Sequence, residues 1–164
     1  MSEIFDRLTQ LFEQGHARDV GELMSDSRFA DLDRTAAAAV LIAVTERPDP
    51  TVILTQRPRT MREHPGQVAF PGGKVEDGES AVDAALREAW EELAIEPENV
   101  RLIGTTDRYQ TGTGFDSTPV LATVPRDLSI RPDPREVESW SECSPQKRPE
   151  ARRGGEERRS RWSP

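Results

Sequence analysis

A single cysteine, Cys143, in 164 residues rules out an intramolecular disulfide and fits a reducing compartment. Apolar residues are scarce as well. A hydrophobic content of 34% against 32% charged suggests that part of the chain is not packed, although the length suffices for one domain with a real core. Long hydrophobic runs are missing. The longest, Ala36 to Val44, is far too short to span a bilayer, and the N-terminal MSEIFDRLTQ lacks the apolar centre of a signal peptide. The expected location is the cytoplasm, with no membrane partner. Positive charge is short over most of the chain. The total is −8, yet Ser141 to Pro164 carry seven Lys+Arg against four Glu, a balance of +3, so the first 140 residues carry −11. A surface that acidic repels a phosphate backbone, and nucleic acid is not an expected partner. No internal repeat is visible.

Hydrophobic periodicity divides the remainder. Ile4, Leu8, Leu11 and Phe12 stand at helical spacing before Gly15, which reads as the stop, with His16 as a loop residue beyond it. A second short helix is expected over Val20 to Phe29. The apolar run TAAAAVLIAV and then TVILTQR read as two buried strands, separated by the turn signal Glu46-Arg47-Pro48-Asp49-Pro50. Gln67 to Phe70 is a third strand, ended by Pro71-Gly72-Gly73. Val100 to Thr106 and Thr118 to Val124 are two more, with a glycine-rich loop, Tyr109 to Phe115, between them. This order is mixed α/β, in the α+β sense, and lacks the regular alternation of a doubly wound sheet. Boundaries are expected at 1–33 for the helical N-terminal segment, 34–140 for the main domain and 141–164 for a tail.

The chain is organised around Gly72 to Ile95, GGKVEDGESAVDAALREAWEELAI. Ser80 is the expected N-cap, with Asp83 completing an acidic variant of the capping box, and Ala81 to Leu93 contains no glycine or proline. At about 100° per residue, Val82, Leu86, Ala89 and Leu93 form one stripe, expected to be the core face. Glu88, Glu91 and Glu92 form another arc centred about 130° away, expected to point outward. Charged outer faces are ordinarily just solvated. Like charges one turn apart cost only a few tenths of a kcal/mol, but they gain nothing unless a cation turns repulsion into chelation.

The full string of Gly73, five residues, Glu79, seven residues and then Arg87-Glu88-Ala89-Trp90-Glu91-Glu92-Leu93-Ala94-Ile95 resembles the Nudix box. That box is the signature of hydrolases that cleave a nucleoside diphosphate linked to another moiety. The departure is Ala94, where the family has a glycine that closes the helix in the left-handed region. Alanine pays about 1–2 kcal/mol there, so the helix end is expected to be built differently. The resemblance implies a mixed sheet sandwiched between helices. It also implies Mg2+ or Mn2+ as cofactor, with Glu88, Glu91 and Glu92 as ligands, and the Gly72 or Gly73 carbonyl is a further candidate oxygen. Arg87 would hold a carboxylate in place, with Glu79 behind it. Catalysis would rest on Glu92, Glu91 and Arg87, and the general base is either Glu92 or Glu136.

A second resemblance covers about 20 positions before the box. Leu54-Thr55-Gln56-Arg57 followed by Met61-Arg62-Glu63-His64-Pro65-Gly66-Gln67-Val68-Ala69-Phe70-Pro71-Gly72-Gly73 is similar to the extended motif of the coenzyme A diphosphatase branch. It implies a small-molecule substrate, coenzyme A or a derivative, cut to 3′,5′-ADP and 4′-phosphopantetheine. Arg57, Arg62 and His64 would meet phosphate oxygens beside Gly72 and Gly73, and Tyr109 or Phe115 is a candidate to stack on the adenine. The alternatives are the same chemistry on ADP-ribose, a dinucleoside polyphosphate or an oxidised nucleotide, and a truncated, inactive Nudix-like protein.

The tail feeds that last alternative. After Glu138 the sequence SWSECSPQKRPEARRGGEERRSRWSP has no apolar periodicity and cannot offset an ordering cost of about 1–2 kcal/mol per residue. The expectation is a basic, low-complexity, disordered segment that replaces the last strand and helix of the family and leaves an unpaired sheet edge. A basic tail that attracts an anionic partner is the other reading.

Overall fold

The computed structural model describes residues 2–16, 36–62, 64–111 and 114–145. The second expected helix, Val20 to Phe29, and the boundary at residue 33 lie outside the described residues. The first helix, α1, runs Glu3–His16, so Gly15 does not end it. His16 is its last residue and no loop residue: its ring lies 4.1 Å from the Phe12 ring, and Nδ1 is 3.2 Å from the Phe12 carbonyl.

The apolar runs become the centre of one mixed sheet. Strand β1 (Ala36–Thr45) pairs in parallel, residue for residue, with β7 (Phe115–Val124). On the other side of β1 lies β2 (Val52–Gln56), antiparallel, followed by the two-residue β3 (Val68–Ala69). Beyond β7 lie β5 (Arg101–Thr105) and β6 (Tyr109–Gln110), both antiparallel to it.

Three of the strands described have no apolar run behind them: β6 lies in the expected glycine-rich loop Tyr109 to Phe115, whose last residue opens β7. Gly72–Lys74, read above as a turn, is strand β4 and pairs with β1 at Ala38, Ala39 and Val40. Ser139–Cys143 is β8, antiparallel to β2 along its whole length. The boundary at residue 140 therefore falls inside a strand, and β8 supplies a strand along β2 where the tail was expected to leave a sheet edge unpaired. What holds β8 is polar: the Glu142 carboxylate accepts from Arg47 at 2.5 Å and from the Thr51 hydroxyl at 2.7 Å. Val137, fully buried, anchors the approach to it. The rest of the expected tail, 146–164, lies outside the described residues.

Helix α2 (Ala81–Leu93) begins as expected, with the Ser80 hydroxyl accepting from the Asp83 amide at 3.1 Å. Its buried face is different from the expected stripe. Ala84, Ala85, Ala89 and Leu93 are buried, whereas Val82 and Leu86 are only half-buried. Alanines on the helix meet Ala39, Ala43 and Ala122 in the same core, so α2 sits close on the sheet. Glu92 is about 20° round the helix from Ala85, and Glu88 about 40° from Ala84. The close approach carries both carboxylates inward: Glu92 is only 5% exposed, which corrects the expectation that all three glutamates face outward.

The end of α2 also departs from expectation. Ala94 adopts the left-handed conformation itself (φ 56, ψ 34), and the amides of Ala94 and Ile95 bond back to Trp90 and Ala89 as a glycine closure would allow. The fully buried Ile95 that follows fixes this geometry. The strain is retained, so Ala94→Gly is expected to stabilise the fold by about 1 kcal/mol, read as a higher urea midpoint at unchanged slope. An unchanged or lower midpoint would remove this account of the turn.

Helix α1 rests on β5. A Cβ at Gly104 would come within 2.5 Å of the Phe12 ring, and the Arg101 guanidinium stacks over Phe5 at 4.0 Å. Among the described residues no helix is long and apolar enough to cross a membrane.

Candidate active site

The α2 carboxylates are set by what surrounds the helix. Arg87 donates Nε and Nη2 to Glu79 at 2.9 and 3.1 Å, Nη1 to Glu88 at 3.0 Å and to Glu91 at 3.2 Å, and Nη2 again to the Lys74 carbonyl at 3.0 Å. Its role as a positioning residue for carboxylates thus has a concrete form, a clamp between α2 and the loop carrying Glu79. The hydrogen bond from Arg87 holds Glu79 below the usual carboxylate range, and the same bond raises the Arg87 pKa.

Glu88, Glu92 and Glu136 each offer a carboxylate oxygen, all within 4.8 Å of one another. Glu91 stands beside this group: its carboxylate is 40% exposed and bonded to Arg87. Glu136 comes from the segment after β7, brought in by Asp133, whose amide donates to the Glu92 carbonyl and whose own carbonyl accepts from Glu136. Gly73 leaves room for the Glu88 carboxylate, which a Cβ at this position would push aside. The amide of Gly72 donates to Glu92 Oε2 at 3.3 Å.

Charge in this cluster is only partly compensated. Burial pushes the Glu92 carboxyl up to about 8, with Glu88 and Glu136 adding to the effect and the Gly72 amide and Arg57 opposing it. Burial also raises Glu88, against the pull of Arg87. Of the three, Glu88 pairs with Arg87, while among the described residues neither Glu92 nor Glu136 has an ion-pair partner. Three hard oxygen donors around a missing positive charge fit a divalent cation such as Mg2+ or Mn2+.

A cleft of about 590 Å³ adjoins the cluster. Gly72 belongs to both, lining the cleft while its amide reaches Glu92. Arg57, His64, Gln67 and Gly73 from the extended motif line the cleft, as do Tyr109, Thr111 and Phe115 from the later loop. Arg57 Nε is buried and has no hydrogen-bond partner among the described residues. Its backbone is pinned on both sides, the amide to the Gln67 carbonyl and the carbonyl to the Gly66 amide. His64 holds φ 52, uncommon for a residue with a side chain. Arg62 is exposed and does not line the cleft. Lys74, Ala38 and Ser117 also line it, none of them singled out by the sequence. The signal for Lys74 was its place two residues from Gly72 on what proved to be a strand, which puts both on one face.

The NUDIX domain family matches residues 33–164. A protein of Cronobacter sakazakii described as an uncharacterized Nudix hydrolase NudL is 50% identical over 101 residues, covering 61% of this chain and 53% of its own length. A protein of the same description from Enterobacter sp. is 44% identical over 117 residues, 71% of this chain and 61% of that one. The chain therefore spans about half to three-fifths of the length of the curated relatives it matches. Among solved structures, a C. elegans Ap4A hydrolase binary complex superposes with a TM-score of 0.57 at 22% identity, covering 65% of this chain and 79% of that one. The Nudix domain of Shewanella oneidensis NrtR, crystallised with ADP ribose, gives 0.51 at 18%, covering 74% and 84%. At such identities these likenesses establish the fold alone, but the family match covers most of the sequence and carries the box with its carboxylates, so the chain belongs to the Nudix domain family.

Proposed function

We propose that the protein hydrolyses the diphosphate of coenzyme A or one of its derivatives, giving 3′,5′-ADP and 4′-phosphopantetheine. The observation that carries this reading is the meeting, at Gly72, of the carboxylate cluster with a cleft lined by Arg57, His64 and Gln67 of the extended motif. The buried Arg57 Nε, unpartnered among the described residues, offers a donor to a phosphate oxygen, and arginine suits that geometry.

Glu88, Glu92 and Glu136 would hold Mg2+ or Mn2+, with Glu91 at the exposed rim as a further ligand. Such a cation, when bound, supplies Lewis-acid stabilisation of diphosphate oxygens and a more acidic water. The protein's part is position and electrostatics. Arg57 orients the diphosphate, and Arg87 keeps Glu88 and Glu91 aligned on one ridge. Glu136, the less buried of the two candidate bases and borne on a separate segment, accepts the proton of the attacking water at its carboxylate. No covalent intermediate is required.

The test is a panel of coenzyme A, ADP-ribose, a dinucleoside polyphosphate and an oxidised nucleotide, ranked by kcat/KM with a divalent cation present. Coenzyme A is expected to lead. If another member led by tenfold or more, the substrate assignment would fail while the chemistry stood.

A further inference from the structure

The cleft carries a cation that the proposed hydrolysis does not use. Lys74 on β4 lies across from Ala38 on β1, Ala38 across from Ser117 on β7, and Ser117 across from Tyr109 on β6. Residues paired in this way point to the same face of a sheet, so the four form one row over about 14 Å, three strand spacings. The middle of the row is small, Ala38 and Ser117, and its two ends are long. Phe115, two residues before Ser117, shares that face, and the Lys74 ammonium lies 5.8 Å from its ring centroid.

The result is a trough with a small-residue floor, aromatic rings on the β7 and β6 side and an ammonium group on the β4 side. Among the described residues no carboxylate lines the cleft. Among the described residues Lys74 has no ion pair or side-chain hydrogen bond. Arg108, close in sequence to Tyr109, is instead tied to Asp116 at 3.0 Å. Lys74 is also separate from the acid cluster. It shares its face with Gly72, whereas the intervening Gly73 is directed at Glu88 on the α2 side.

We infer that Lys74 is a specificity residue that binds a second anionic group, distinct from the diphosphate, on a substrate whose aromatic base stacks at Phe115 and Tyr109. For the substrate class proposed above, on which this inference rests, that group is the phosphate monoester on the ribose. Phe115 and Lys74 then act as a pair, the ring holding the base and the ammonium meeting the phosphate beside it.

Calorimetric titration with adenosine 3′,5′-bisphosphate and with adenosine 5′-monophosphate, without divalent cation, tests this directly. The wild-type chain is expected to prefer the bisphosphate by about 10-fold, the worth of one charge-assisted contact at a partly exposed site. In Lys74→Ala the preference should fall below about twofold, and Lys74→Arg should keep it. Phe115→Leu should weaken both ligands while preserving their ratio. An unchanged ratio in Lys74→Ala, or no preference in the wild type, would overturn the inference. Because binding needs no turnover, a protein that prefers the bisphosphate through Lys74 but leaves coenzyme A uncut would refute the proposed reaction and not the subsite.

Discussion

Glu92→Gln is expected to lower turnover by about 100-fold or more while leaving the fold intact, and Glu88→Gln to do the same. Both amides keep the shape of the side chain and lose the charge that a cation requires, and the loss of one well-placed electrostatic partner has about that cost. The fold should survive for a reason particular to this site. Glu92 is 5% exposed, bonds through its carboxylate only to the Gly72 amide among the described residues, and is pushed by burial up to about 8, so in the metal-free protein its charge is a burden. Removing that charge leaves the metal-free chain no less stable at alkaline pH. Circular dichroism and thermal melting separate the two effects. Near-normal turnover in both variants would dissolve the metal assignment.

Melting of the metal-free protein should fall as pH rises, the reverse of the usual behaviour of paired carboxylates. A carboxyl raised from 4.5 to about 8 on folding holds its proton in the folded chain across a range where the unfolded chain has lost it. Its contribution is therefore fully present below about pH 4.5 and lost as pH climbs through 8. The full range is worth on the order of 5 kcal/mol, about 15 °C in Tm for a chain of this size. Glu88, raised also, acts in the same direction. Asp133, held at about 2 by Arg135, and Glu79, lowered by Arg87, titrate below this window and do not oppose it. Between pH 5 and 9 the Tm of protein treated with chelator should drop, millimolar Mg2+ or Mn2+ should restore it at pH 8 to 9, and Glu92→Gln should flatten the profile. A rising profile without metal, or no response to either cation, would contradict the geometry of the cluster.

Much of this was legible in the residues themselves. The apolar runs at 35–44 and 118–124 marked the positions of β1 and β7 because a buried strand needs apolar sequence, although β7 starts three residues earlier, at Phe115, and Ser80 marked the start of α2 because an orphan amide needs an oxygen. Strands β4 and β8 were not legible, nor was β6, whose Tyr109–Gln110 was read as loop. Gly72–Lys74 has no side-chain pattern at all, and Ser139–Cys143 owes its place to Glu142 meeting Arg47 and Thr51 some 90 residues earlier. Both are specified by partners distant in sequence. The inward turn of Glu92 was hidden for another reason: ranking α2 by side-chain size favoured Val82 and Leu86, whereas alanine marks the face where a helix can come closest to a sheet. Glu136 was legible only as a possible base. Its entry into the cluster depends on the backbone bonds of Asp133, which no local pattern announces.

The most direct measurement is mass spectrometry of the products formed from coenzyme A with Mn2+ present and with Mn2+ chelated, for the wild-type chain and for Glu92→Gln. The expected result is 3′,5′-ADP and 4′-phosphopantetheine from the wild-type chain with metal, about 100-fold less or none from Glu92→Gln with metal, and neither product above background in the two chelated reactions. Intact coenzyme A from the wild-type chain with metal, or the same products with the metal chelated, would contradict the account.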